Sequence, residues 1–107
     1  MPVITGGQAL ARSLAREGIK VVFGVPGAGQ YEAVDGLYEE SQIQYIATRH
    51  EQATSYMADG YARLSGKPAA ILVVPGPGMY NSMSGITGAY SQGSPMVVVS
   101  GEGHADR

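Results

Sequence analysis

An unbroken run of six apolar residues, Ala69 to Val74, lies between Gly66-Lys67-Pro68 and Pro75-Gly76-Pro77-Gly78. Such a run has the length of a strand and no alternation, so both of its faces need cover. A strand apolar on both faces belongs in a parallel sheet with helices on each side. Ile19 to Phe23, Ile43 to Ile46 and Met96 to Val99 supply three further strand candidates. Helical patterns fill the spaces between them. Thr5 with Gln8 reads as a capping box, Ala9, Leu10, Leu14 and Ala15 follow at helical spacing, and Gly18 is the stop. Tyr31, Val34, Leu37 and Tyr38 form a second stripe. His50 to Leu64 reads as a longer helix with Ala53, Met57, Tyr61 and Leu64 on one face. Pro75 to Gly78 reads as a sharp break, and a fourth helix is expected from about Asn81 to Tyr90, with Gly85 and Gly88 allowing close packing. The order is α-β-α-β-α-β-α-β, an α/β fold with a parallel sheet and right-handed crossovers.

Composition narrows the function classes. The chain has 107 residues, room for one domain at most. Seven Lys and Arg against nine Asp and Glu form no basic block, which argues against nucleic acid and anionic membrane as partners. The absence of cysteine removes disulfides and thiolate metal sites. The N-terminus lacks a basic segment followed by an apolar one, so the default compartment is the cytoplasm. Charged residues make up 15%, below the roughly 25% of an ordinary soluble domain, so part of the surface is expected to be covered by something else. The chain ends eight residues after the fourth strand run, which suggests an N-terminal piece of something longer.

In an open α/β sheet, ligands sit beyond the carboxyl ends of the strands. The Gly-rich segments 24 to 29, 75 to 78 and 101 to 103 fall there. Neither Gly27-Ala28-Gly29 nor Gly76-Pro77-Gly78 completes a dinucleotide fingerprint, because Glu32 and Asn81 stand at the third glycine. No Gly-Lys-Ser or Gly-Lys-Thr closes a phosphate loop, and His50-Glu51 lacks the second histidine of a zinc helix, with Thr54 in its place. No metal site is expected from this chain. Glu51 remains, after the second strand and in the first turn of the third helix. A capping role there is the plain reading, since the helix dipole favours a carboxylate. The small and apolar neighbours Ala47, Ala53 and Met57 favour a second role, a shielded carboxyl that shares a proton with a ligand nitrogen. Tyr80, in the Gly-Pro-Gly turn, is a further pocket candidate. The tyrosines otherwise read as packing positions. His50 reads as a neighbour that positions Glu51.

Three blocks then match a known pattern: Phe23-Gly24-Val25-Pro26-Gly27, Thr48-Arg49-His50-Glu51-Gln52-Ala53 and Ala58-Asp59-Gly60-Tyr61-Ala62-Arg63. Gly76-Pro77-Gly78 with Asn81, then Gly85-Ile86, extends the match, which runs in register from Thr5 to Gly101. The chain resembles the thiamine-diphosphate-dependent enzymes of the acetolactate synthase type. The resemblance implies an incomplete N-terminal pyrimidine-binding domain over residues 1–107, without the central and C-terminal diphosphate-binding domains. It implies decarboxylation of a 2-oxo acid, ligation of the product to an acceptor, or both, inside a longer chain, the piece alone being inactive. Glu51 matches the family's catalytic glutamate, which hydrogen-bonds N1′ of the cofactor's aminopyrimidine and promotes its imino tautomer. Val25, Pro26 and Gly27 match the loop on the aminopyrimidine side, and Val74, Pro77 and Asn81 match the second cofactor-facing turn. Gln52 resembles a residue of the same helix. The resemblance further implies Mg²⁺ held by the C-terminal domain through a Gly-Asp-Gly motif, and it leaves FAD open. It implies a homo-oligomer, dimer or tetramer, with the site at the subunit interface. Pro75, Met79-Tyr80, Ala28-Gly29-Gln30 and Glu102 depart from the usual pattern, so acetolactate synthase itself is not singled out. A non-catalytic dimerising module built from the same domain is the alternative, and a generic nucleotide-binding domain ranks third.

Overall fold

The computed structural model describes residues 3–27 and 30–102. Ala28, Gly29, Gly103, His104 and Asp106 lie outside the described residues. Eight elements alternate as α1 (Gly6–Arg16), β1 (Val21–Gly24), α2 (Tyr31–Glu39), β2 (Gln44–Ala47), α3 (Glu51–Ser65), β3 (Ala69–Val73), α4 (Pro77–Gln92) and β4 (Met96–Ser100). All strand pairs are parallel and the sheet order is β2-β1-β3-β4. The α/β reading with helices on both faces therefore holds.

Side-chain alternation divides β1 and β3 between two cores. Val22, Ala70 and Leu72 point toward α1 and α2, where they meet Ala11, Leu14, Ile19, Leu37 and Ile43. Val21, Phe23, Ala69, Ile71 and Val73 point the other way, toward Ala58 on α3 and Ile86 on α4. Every β3 residue is at most 3% exposed. Burying each branched side chain there stabilises the fold by about 1.5–3 kcal/mol. Val74 leaves the strand and is half-buried. At the outer edge, Val97 of β4 is 37% exposed.

The α1 signals hold. Thr5 and Gln8 form the reciprocal capping box, each accepting the other's backbone N–H at 3.0 Å. Gly18 follows the helix with φ of 87°, a left-handed value that glycine adopts without steric cost.

Three expectations are corrected. On α2, Leu37 is buried and Val34 half-buried, but Tyr31 and Tyr38 are 64% and 89% exposed. Tyr56, Tyr80 and Tyr90 also face solvent, so only Tyr45 and Tyr61 act as packing tyrosines. On α3, the large apolar stripe does not face the sheet: Met57 is 42% and Leu64 94% exposed, and only Tyr61 of the four packs against the core. Thr54, Ser55, Ala58, Asp59 and Ala62 are buried instead. The cause is the close crossing of α3 and α4, where a Cβ on Gly85 would strike Ser55. Small residues let the axes approach. The hydroxyls of Thr54, Ser55 and Ser82 donate to carbonyls three residues back, so their burial leaves no donor unmatched. Gly88 is less pressed, since a Cβ there would come no nearer than 4.0 Å to Asp59 Oδ2. Finally, α4 begins at Pro77 rather than near Asn81. Proline has no N–H to lose at a first helical position and its φ is already helical, so only Pro75-Gly76 breaks the chain.

Candidate functional site

The chain leaves β1 toward β2 by way of α2 on one face of the sheet, and leaves β3 toward β4 by way of α4 on the other. The carboxyl ends of β1 and β3 are therefore the switch point of the sheet, the position where α/β folds open a crevice. Val25, Pro26 and Gly27 follow β1, while Val74 and the start of α4 follow β3. The end of β2 is tied to the same edge, because Thr48 N–H donates to the Gly24 carbonyl at 2.8 Å.

Glu51 enters this edge as the first residue of α3. His50 is the helix cap: its Nδ1 accepts the Gln52 N–H at 3.0 Å. His50 thereby sets the direction in which α3 starts, and Glu51 with it. Thr48 Oγ1 donates to the His50 carbonyl at 2.9 Å and stiffens the approach to the cap. Thr54 Oγ1 in turn donates to the Glu51 carbonyl at 2.6 Å. The positive end of the α3 dipole then bears on a half-buried carboxylate.

Asn81 lies one turn into α4 and reaches across to the carboxylate. Its Nδ2 donates to Glu51 Oε1 at 3.2 Å. Gly78 occupies the other side. A Cβ built there would lie 3.5 Å from Glu51 Oε2 and 2.6 Å from Val74 Cγ2. The loop after β1 closes in from across the sheet, since a Cβ on Gly27 would lie 2.6 Å from Val74 Cγ1. Val74 is thus wedged between two glycines, and any other residue at either glycine would crowd the floor of the crevice. The structure brings together Gly27, Glu51, Val74 and Asn81, four of the seven residues singled out from sequence. Pro26 and Pro77 sit on the exposed rim, Val25 is half-buried beside them, and Gln52 points to solvent. Tyr80 is 77% exposed.

Two buried polar groups lie near this edge, the Gln30 amide, which was not anticipated, and the hydroxyl of Tyr45, read from sequence only as a packing position. Gln30, the cap residue of α2, is 2% exposed, and neither atom of its amide has a partner among the described residues. The Tyr45 hydroxyl is likewise unmatched and fills the space that a side chain on Gly24 would need. Burial raises the Tyr45 pKa above the ordinary tyrosine value. A glutamine in a Gly-rich loop carries no periodic signal of burial, so the sequence offered nothing to find it by. Among the described residues, no three His, Asp or Glu side chains gather in a way that could hold a metal ion. No helix among them is long and apolar enough to cross a membrane.

A glutamate on a helix N-terminus, steadied through one oxygen and set beside Gly78, can bind a protonated ring nitrogen or exchange a proton with it. Comparison with known proteins places the chain in a family. The chain is 46% identical over 102 residues to a probable 2-ketoarginine decarboxylase of Pseudomonas aeruginosa, covering 95% of this chain and 18% of the relative. It is 43% identical over 102 residues to the acetolactate synthase large subunit of Buchnera aphidicola, with the same coverage. The mitochondrial acetolactate synthase catalytic subunit of Saccharomyces cerevisiae is 37% identical over 99 residues, 92% of this chain and 14% of that protein. The chain therefore spans less than a fifth of the length of these relatives. The family model for the N-terminal TPP binding domain of thiamine pyrophosphate enzymes matches residues 4–107, and the chain belongs to that family.

Proposed function

We propose that this chain binds the aminopyrimidine end of thiamine diphosphate and activates it through Glu51, as one domain of an enzyme acting on 2-oxo acids. The observation that carries the reading is the carboxylate of Glu51, held by Asn81 on one oxygen and bordered by Gly78 on the other. The residues present fit the cofactor in chemistry: Glu51 offers a carboxylate to a ring nitrogen, and Gly27 and Gly78, without side chains, leave Val74 as the apolar surface nearby. When bound, thiamine diphosphate supplies the nucleophilic carbon and the electron sink needed to release CO₂ from a 2-oxo acid.

The chain's own part is proton handling and placement. Asn81 commits Glu51 Oε1, which leaves Oε2 to share a proton with N1′ of the ring. His50 and Thr48 fix the direction from which the carboxylate arrives. Val74 supplies the apolar floor, and Val25, Pro26 and Pro77 form the rim. The Mg²⁺ that anchors the diphosphate is assigned to a domain outside this segment. The names of the relatives, a probable 2-ketoarginine decarboxylase and acetolactate synthases, support a reaction on a 2-oxo acid.

A subunit interface completes the crevice in this reading. Support comes from the outer surface of α3 and α4, where Tyr56, Met57, Leu64, Tyr80, Met83 and Tyr90 are each at least 40% exposed. Monomeric proteins rarely leave such a patch open to water.

Glu51→Gln in the complete enzyme tests the assignment. The amide keeps the shape and loses the proton exchange, so turnover should fall about 100-fold or more. Cofactor affinity and thermal unfolding, measured in parallel, should change far less. Near-normal CO₂ release from that variant would remove Glu51 from the chemistry and favour a binding module.

A further inference from the structure

Helix α3 is started by a side chain that can gain a proton. His50 lies in extended backbone, with φ of −152° and ψ of 144°, and its ring turns back on the helix to accept the Gln52 N–H through Nδ1. A ring nitrogen accepts only while it carries no proton. The cap therefore exists for the neutral tautomer, with its proton on Nε2. Imidazole is the ordinary side chain that takes up a second proton between about pH 5 and 8. His50 is exposed, so protons reach it.

Once Nδ1 is protonated, two donors face each other at the Gln52 N–H. The new charge also lies at the positive end of the α3 dipole. No anion on a neighbouring element offsets it. The four strands and α4 hold no charged side chain, only the phenols of Tyr45, Tyr80 and Tyr90. On its own segment the nearest charges are Arg49, which repels an imidazolium, and Glu51. Farther along α3 come the phenols of Tyr56 and Tyr61 and the paired Asp59 and Arg63. A Glu51 carboxylate drawn toward the imidazolium would leave the amide of Asn81, which binds Oε1 at 3.2 Å. A carboxylate not so drawn still sits on a turn that has lost its cap. In both cases Oε2 loses its set position.

The change is confined to that turn. The His50 carbonyl keeps the Ala53 N–H at 3.1 Å and Thr48 Oγ1 at 2.9 Å. One turn on, Ser55 meets Gly85 of α4 with no room between them for a further side chain, and that crossing holds the rest of α3.

We propose that His50 is a proton-sensitive positioning residue. Neutral, it caps α3 and holds Glu51 in place; protonated on Nδ1, it frees the first turn, and activity falls in acid while the fold stays intact. The inference rests on the Glu51 reading given above for its link to turnover, but not for the cap itself.

The test uses the complete enzyme. Amide exchange over residues 51–54, corrected for the intrinsic effect of pH, should speed up about threefold or more from about pH 7.5 to about pH 5.5, while exchange over residues 58–62 holds steady. Asparagine caps a helix well and does not titrate. In His50→Asn the loss of protection in acid should therefore vanish, and the acid limb of the kcat profile should move about 0.5 pH unit lower or more. His50→Ala has no cap at any pH, and at about pH 7.5 its turnover should be about threefold or more below that of His50→Asn. Exchange over 51–54 that ignores pH in the wild-type enzyme overturns the proposal, and that measurement needs no variant to fold. An acid limb shared by the wild type and His50→Asn overturns it as well, because another group then sets it. Glu51→Gln keeps the two readings apart: normal turnover in that variant is a failure of the Glu51 reading, whereas pH-independent exchange over 51–54 is a failure of the cap.

Discussion

At Glu51, three local rules act on one side chain. A histidine cap ends the extended segment, the helix dipole favours an acid in the first turn, and an asparagine one turn into α4 binds one oxygen. The first two are readable from His50-Glu51 at the head of a helical pattern. The third depends on where α4 begins, and the sequence alone put that start four residues late. Val74 is the other residue on which the site turns, because its two methyl groups occupy the space that side chains at Gly27 and Gly78 would need. Gly78→Ala should therefore destabilise the protein by about 1–3 kcal/mol, the usual cost of overpacking a filled site. Adding Val74→Ala should recover at least half of that loss in urea melts, because the new methyl group then has somewhere to go. Two losses that simply add would show that Gly78 is not packed on Val74. The buried amide of Gln30 was illegible for a different reason. Its burial comes from the tertiary placement of the α2 cap, and a polar residue among glycines reads as surface.

Helix α3 carries two apolar patterns on one cylinder, and the sequence displays the louder one. Large side chains dominate any reading of periodicity, so Met57 and Leu64 marked the face that turned out to point away from the sheet. The packed face is written in small residues, which raise no hydrophobic signal yet allow the close crossing at Ser55 and Gly85. Asp59 adds a polar clasp to that crossing. The hydrogen bonds from Arg63, and then the influence of Ser94 just beyond α4, hold its carboxylate below the ordinary carboxylate pKa. A carboxylate whose pKa is depressed by folding contributes stability in full above its unfolded value, about pH 4. That contribution fades as pH falls through the lower folded value. Asp59→Asn should therefore cost about 1 kcal/mol at pH 7, with Arg63 half-exposed and its share screened by water. The gap between variant and wild type should narrow below pH 4. A gap that stays constant between pH 7 and pH 3 would mean that the clasp is not the source of the loss.

For the whole molecule, the α/β class, the parallel sheet and the number of strands were legible because β3 is apolar without interruption and helical patterns fill every gap. The order β2-β1-β3-β4 was not, since apolar runs carry no record of which neighbour they pair with. That order has a consequence for the chain as it leaves the ribosome. When residues 1 to 66 have emerged, β1 can pair with β2, but its other edge has no partner until Ala69–Val73 arrives. Val22, Phe23 and Gly24 then present open backbone on an apolar strand, a template for the wrong neighbour. A chain cut at Gly66 should accumulate as aggregate when synthesised, whereas one ending at Glu102 should stay dispersed, as centrifugation of the translation products would show. Equal solubility of the two would mean that the nascent sheet protects this edge by other means. The strand that makes the interior dry is thus also the one that closes the period of greatest risk during synthesis.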